Sequence, residues 1–167
     1  MTETLSPALP DEVDHAARAL LETACDKELT LATAESCTGG LLASLLTDVD
    51  GASHAFERGF VVYTNEAKSE LLGIPLDLIE REGAVSAAVA RAMAEGALRE
   101  SKADIAISVT GFAGRGAPGD EPGLVHFGCA REGRPTAHRE AHFGDIGRGG
   151  VRVECLRVGL EMLAEAL

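Results

Sequence analysis

The feature that most restricts what this chain can fold into is a regular alternation of two patterns. Short apolar runs, several of them β-branched, are followed by stretches with apolar residues at helical spacing, and glycine or proline marks the joints. The run TLATA at 30–34 predicts a buried strand, and GGLLASLLT at 39–47 predicts a helix with Thr38 as its N-cap. RGFVVYT at 58–64 predicts a second strand ending on Tyr63 and Thr64, and Asn65 is placed to cap a helix that runs to about Leu72 and stops at Gly73, with Pro75 beyond. Ser86 opens an alanine-rich helix reaching about Ser101, and DIAISV at 104–109 predicts a central strand. Helices are also expected over 11–25, over a short stretch at 76–82, and over 150–167. Two further strands, 124–130 and 136–143, are expected to join through a turn at Glu132 and Gly133.

Alternation early in the chain followed by a strand pair is the pattern of an α/β fold. The expected architecture is a three-layer α/β/α sandwich on a mixed, mainly parallel sheet. A length of 167 residues favours one domain, with residues 1–10, which hold two prolines and no period, as a loose leader. Hydrophobic residues make up 46% of the chain, which argues against disorder, and the 19 glycines have no fixed period, which argues against a repeat.

Charge narrows the partners. The net charge is −12, and no run of lysine and arginine is long enough to form the basic face that nucleic acid requires. The field repels anionic ligands too, so a phosphorylated substrate would need donors placed locally. The four cysteines, Cys25, Cys37, Cys129 and Cys155, form no Cys-x-x-Cys, and no secretory pattern or bilayer-length apolar run occurs, so reduced thiols in a cytoplasmic protein without a membrane anchor are expected.

Three constellations can carry chemistry. The segment AESCTGG at 34–40 sits between a predicted strand and a predicted helix, where a serine projects beside free N–H groups; the alternative is an ordinary capping turn. Cys37 is a rival nucleophile or a small buried hydrophobe. The segment YTNEAK at 63–68 puts Lys68 on the first turn of a helix, as a general base if burial or a cation lowers its pKa, and otherwise as an exposed helix lysine. The loop 111–123 contains Gly114, Gly116 and Gly119 at G-x-G-x-x-G spacing, but the chain continues into Asp120, Glu121, Pro122 and Gly123 rather than into a helix. The dinucleotide reading therefore fails, leaving a pocket-lining loop or a plain surface loop. His138, Glu140 and His142 alternate along a predicted strand and share one face, which fits a solvated face better than a metal site.

At these residues the sequence resembles the C-terminal domain family of the competence/damage-inducible protein A (CinA), stand-alone members included. The resemblance runs from about residue 12 to the end. It rests on AESCTGG at 34–40, RGFVVY at 58–63 with NEAK at 65–68, GAVS at 83–86 and TGFAG at 110–114. It implies an amidase that converts nicotinamide mononucleotide to nicotinic acid mononucleotide and ammonia, with no metal and no cofactor. Ser36 would be the nucleophile, Lys68 its base and later the acid for departing ammonia, and Tyr63 a supporting hydroxyl. N–H groups around Thr38, Gly39 and Gly40 would hold the oxyanion. Thr110 and Gly111 would line the pocket. Arg148 and Arg152 would meet the phosphate, from a segment similar to the family's Gly-Asp-Arg…Val-Arg. A homodimer is implied as well. The chain departs from the family in having Arg115 where a proline is usual and in lacking a later Lys-Pro-Val-Gly, which bears on substrate identity. The competing reading is a non-catalytic nucleotide-binding or protein-interaction domain of the same fold, and a third keeps the hydrolase chemistry on another amide.

Overall fold

The computed structural model describes residues 9–167. The expected leader thus lies, for residues 1–8, outside the described residues, and Pro10 is the N-cap of the first helix. In chain order the elements are α1 (Asp11–Asp26), β1 (Leu31–Glu35), α2 (Leu41–Thr47), a 3₁₀ turn (Ser53–Ala55), β2 (Phe56–Val61), α3 (Asn65–Leu72), α4 (Leu76–Glu82), α5 (Ala87–Arg99), β3 (Ile105–Gly111), β4 (Leu124–Arg131), β5 (Ala137–His142) and α6 (Arg148–Ala166).

The five strands form one mixed sheet in the order β2-β1-β3-β4-β5. β1 pairs in parallel with β2 and with β3, while β3–β4 and β4–β5 are antiparallel. Parallel pairing with cover on both faces buries every residue of β1. Alternation along the strands sorts side chains between two cores. Leu31, Ile105, Ile107, Val109, Val125 and Phe127 face α1, α2 and α6; Ala32, Ala34 and Ala106 face α3, α4 and α5. The result is the expected three-layer α/β/α sandwich.

Helix α3 is set by packing at its far end. α5 crosses it at Gly96, where an added Cβ would stand 2.4 Å from the Leu72 carbonyl oxygen and 2.9 Å from Leu72 Cβ. Arg99 Nη2 donates to the same carbonyl at 2.5 Å. The bare backbone at Gly96 lets the two helices approach this closely, and the arginine holds the end of α3 in place.

Three local expectations give way. The second strand lies at Phe56–Val61, two to three residues earlier than its expected span, so Tyr63 falls in the connection after the strand. Its cause is the cap of α3: Thr64, not Asn65, takes the N-cap, with extended backbone and Oγ1 accepting from Ala67 N–H at 3.0 Å. The cap of α2 is not Thr38 either. Gly40 occupies that position at φ 99°, a conformation open to glycine, and it supplies no side chain. α2 instead receives Glu35, whose carboxylate accepts from Leu42 N–H at 3.0 Å and Ala43 N–H at 2.8 Å.

Candidate active site

The C-terminal ends of β1 and β3, the start of α3 and the loop after β3 enclose a cavity of about 280 Å³. Crevices at the carboxyl ends of parallel strands are where open α/β sheets bind ligands. Ser36, Lys68, Tyr63, Thr110, Gly111 and Arg148 all line it.

Ser36 immediately follows β1, and its N–H bonds Val109 O at 3.0 Å, which extends the β1–β3 pairing by one residue. Lys68 reaches it from α3. The Lys68 side chain is only 1% exposed, so the exposed-lysine alternative is excluded. Its Nζ lies 3.1 Å from Ser36 Oγ, 3.0 Å from Val62 O and 3.3 Å from Tyr63 O. Two carbonyls thus accept N–H bonds and orient the amine, which leaves a neutral lysine's lone pair for the serine O–H. No carboxylate among the described residues is hydrogen-bonded or ion-paired to Lys68. Burial pushes its pKa below the usual lysine range, with an opposing pull from the Cys37 sulfur.

Cys37 also borders the cavity, but its side chain packs in the core shared with α2 and α6. A hydrogen bond from Cys155 holds the Cys37 thiol below its usual pKa, and the same contact, with burial, raises Cys155. The partner of Lys68 is the serine hydroxyl. Tyr63 contacts Lys68 through its carbonyl, and its side chain is 66% exposed at the rim. Thr110 Oγ1 donates to Ala84 O at 2.8 Å, fixing that part of the cavity wall.

Backbone N–H groups at the Ser36 turn divide sharply. Those of Leu42 and Ala43 are taken by Glu35, and that of Gly39 bonds Ser36 O at 3.2 Å. Those of Cys37, Thr38 and Gly40 have no acceptor among the described residues, and of these only Cys37 borders the cavity.

The two arginines separate. Arg148, at the start of α6, lines the cavity beside Gly114 and has no hydrogen-bond or ion-pair partner among the described residues; a Cβ on Gly114 would stand 2.9 Å from its Nη2. Arg152, one turn on, donates from Nε to Cys37 O at 2.9 Å and lines a neighbouring open hollow with Thr38, Gly39 and Gly40. The expected set of site residues therefore falls in two adjoining recesses, joined by the Arg152–Cys37 bond.

The loop after β3 is tied at its base. Phe112 N–H bonds Leu124 O and Gly123 N–H bonds Phe112 O, so it continues the β3–β4 hairpin. Arg115 points outward, 3.3 Å from Asp145. His138 bonds His126 at 2.9 Å, while His142 bonds Glu121 and Glu140 at 2.6 and 2.7 Å. Among the described residues no cluster of three or more His, Cys, Asp or Glu is arranged to hold a metal ion. Glu35 was not among the expected site residues, although an acid at the end of a buried strand is itself a signal.

The family model described as CinA C-terminal domain matches residues 13–167. The chain is 40% identical to the competence/damage inducible protein CihA of Agrobacterium tumefaciens, whose crystal structure superposes with a TM-score of 0.91 over 96% of this chain and 98% of that one. A CinA superfamily protein of Escherichia coli aligns at 33% identity and a TM-score of 0.87, over 99% and 96%. A putative competence-damage inducible protein of Lactiplantibacillus plantarum is 38% identical over the whole chain and 44% of its own length, and one from Symbiobacterium thermophilum is 55% identical over 65% of this chain and 26% of its own length. The chain spans less than half the length of these curated relatives.

Proposed function

Since the chain belongs to the CinA C-terminal domain family, we propose that it is a C–N hydrolase that converts nicotinamide mononucleotide to nicotinic acid mononucleotide and ammonia through Ser36 and Lys68. The observation that carries the reading is the 3.1 Å Lys68–Ser36 hydrogen bond, made by a buried amine whose two other contacts are carbonyls.

Burial keeps Lys68 neutral at a lower pH than a solvated lysine, so it accepts the Ser36 proton as Oγ attacks the carboxamide carbon. The carbonyl oxygen becomes an oxyanion, for which the Cys37 N–H, without an acceptor among the described residues and next to Ser36 at the cavity, is a candidate donor. The tetrahedral species collapses as the Lys68 ammonium returns its proton to the amide nitrogen, ammonia leaves, and an acyl ester on Ser36 remains. Lys68, neutral again, takes a proton from water as the water oxygen attacks the ester, and returns that proton to Ser36 Oγ as the ester C–O bond breaks, which frees the serine and the nicotinic acid product, whose carboxyl proton passes to solvent. Arg148, a cavity-lining cation without a protein partner among the described residues, suits the substrate phosphate in a protein of net charge −12.

The reading includes a reduced, cytoplasmic setting, consistent with four free cysteines; no helix among the described residues is long and apolar enough to cross a membrane. It also includes a homodimer, for which Val61, Tyr63, Leu71 and Leu76 offer exposed apolar surface. The test is ammonia release from nicotinamide mononucleotide against a panel of other amides, with Ser36→Ala alongside. The variant is expected to lose about 10⁴-fold or more in kcat without loss of folding; wild-type turnover in Ser36→Ala would rule the mechanism out.

A further inference from the structure

Glu35 is completely buried, carries a carboxylate, and has no lysine, arginine or histidine within ion-pair distance among the described residues. Burying an acid with only hydrogen bonds for company is costly, and its retention next to a nucleophile calls for a reason. An ordinary cap for α2 was available in Thr38, yet the Thr38 hydroxyl is buried without a partner. The cap comes instead from the strand, seven and eight residues before the N–H groups it binds.

What Glu35 joins explains the choice. Its carboxylate holds the first turn of α2, and so closes the loop of residues 36–41 that carries the nucleophile. Its backbone carbonyl accepts Val62 N–H at 2.8 Å. The Val62 carbonyl in turn accepts Lys68 Nζ, and Lys68 Nζ meets Ser36 Oγ. One residue therefore fixes the nucleophile's turn through its side chain and the base's anchoring carbonyl through its main chain. Its carboxylate also takes up the two α2 N–H groups that would otherwise attract an anion, leaving the substrate phosphate to Arg148.

Resting on the Ser36–Lys68 reading, we infer that Glu35 is a positioning residue that sets the distance and angle between Ser36 and Lys68 by pinning α2 to the end of β1. Glu35→Gln keeps the volume but turns an N–H donor toward one of the two backbone N–H groups. Glu35→Asp keeps the charge but withdraws it by one methylene, about 1.5 Å. Both misplace the turn, and a displacement of this kind costs roughly tenfold to a hundredfold in rate.

The experiment measures kcat, KM and the pH profile for nicotinamide mononucleotide. It also measures the rate at which a fluorophosphonate probe labels Ser36, read by intact mass on the folded fraction from gel filtration. Both variants are expected to lose at least about tenfold in kcat and in labelling rate, with KM within about twofold and the apparent pKa of the Lys68 limb unchanged. A purely structural cap would lower Tm and leave kcat and labelling of the folded protein at wild-type values, and that result in either variant overturns the inference. A wild-type protein that is labelled at Ser36 but leaves the nucleotide intact sinks the substrate reading alone; one that is not labelled sinks the serine–lysine reading and this inference with it.

Discussion

Gly96→Ala tests whether the docking of α3 on α5 is what delivers the base. The new methyl would stand 2.4 Å from the Leu72 carbonyl oxygen. Comfortable contact lies near 3.5 Å, so the helices must part by about 1 Å at this point. Alanine gains about 1 kcal/mol of helix propensity over glycine, overpacking costs about 1–3 kcal/mol, and strain on the Arg99 bond to a neutral carbonyl adds about 1.5–3 kcal/mol if it breaks. A net loss of about 2 kcal/mol corresponds to a Tm lower by roughly 4–8 °C in a domain of this size. Lys68 lies one turn before Leu72 on the same helix face, so the shift reaches its amine. A 3.1 Å contact to Ser36 stretched by that amount is no longer a hydrogen bond. Activity per folded molecule should fall about tenfold to a hundredfold. Leu20→Ala, in the opposite core, serves as the control: it should lower Tm by at least as much with kcat retained. Thermal melts and an ammonia-coupled rate assay on both variants decide the matter. A Gly96→Ala protein with unchanged Tm and unchanged kcat would show that this crossing does not position Lys68.

The same contacts fix further outcomes. The kcat/KM profile should rise with pH along a limb whose midpoint lies below that of a free lysine, because burial lowers Lys68; a midpoint near 10.4 would contradict this. Between the folded and unfolded pKa the unfolded chain binds the extra proton, so wild-type stability should gain on Lys68→Met as pH is raised from 7 to 10, which paired melts will read. Arg148→Ala should raise KM for nicotinamide mononucleotide about tenfold or more while leaving turnover of the unphosphorylated nucleoside unchanged; equal effects on both would remove Arg148 from phosphate binding. Thr64→Ala deletes the α3 cap and should lower Tm by about 2–4 °C for a loss near 1 kcal/mol, checked by calorimetry.

Much of this was legible in the sequence because it is local. The stop of α3 at Gly73, the start of α5 at Ser86, the short α4 over 76–82 and the turn at Glu132 and Gly133 all rest on residues within a few positions of the feature they control. Ser36, Lys68 and Thr110, far apart in sequence, line one cavity. What escaped depends on contacts between distant segments. Thr38 is a good capping residue by type, but Glu35 reaches the same N–H groups from β1 and displaces it. Lys68 looks solvated by helix position, and only the packing of α3 against α5, with Ser36 and the Val62–Tyr63 connection over its amine, buries it. Arg148 and Arg152 are one turn apart, yet the Cys37 carbonyl captures the second and leaves the first to the cavity.

The cavity is assembled mainly from an earlier and a later stretch of chain, with Ala84 and Val85 between them. Ser36, Tyr63 and Lys68 come from the first crossover unit, whereas Thr110, the loop at 112–123 and Arg148 come from the later hairpin and the last helix. On the proposed reading, bond cleavage and ligand choice are therefore written in separate parts of this chain. On that reading, variation at cavity-lining positions such as Phe112 and Ala113 redirects which amide is admitted while Ser36 and Lys68 stay as they are, so a library confined to residues 112–123 and 144–148 is the natural place to look for altered substrate range.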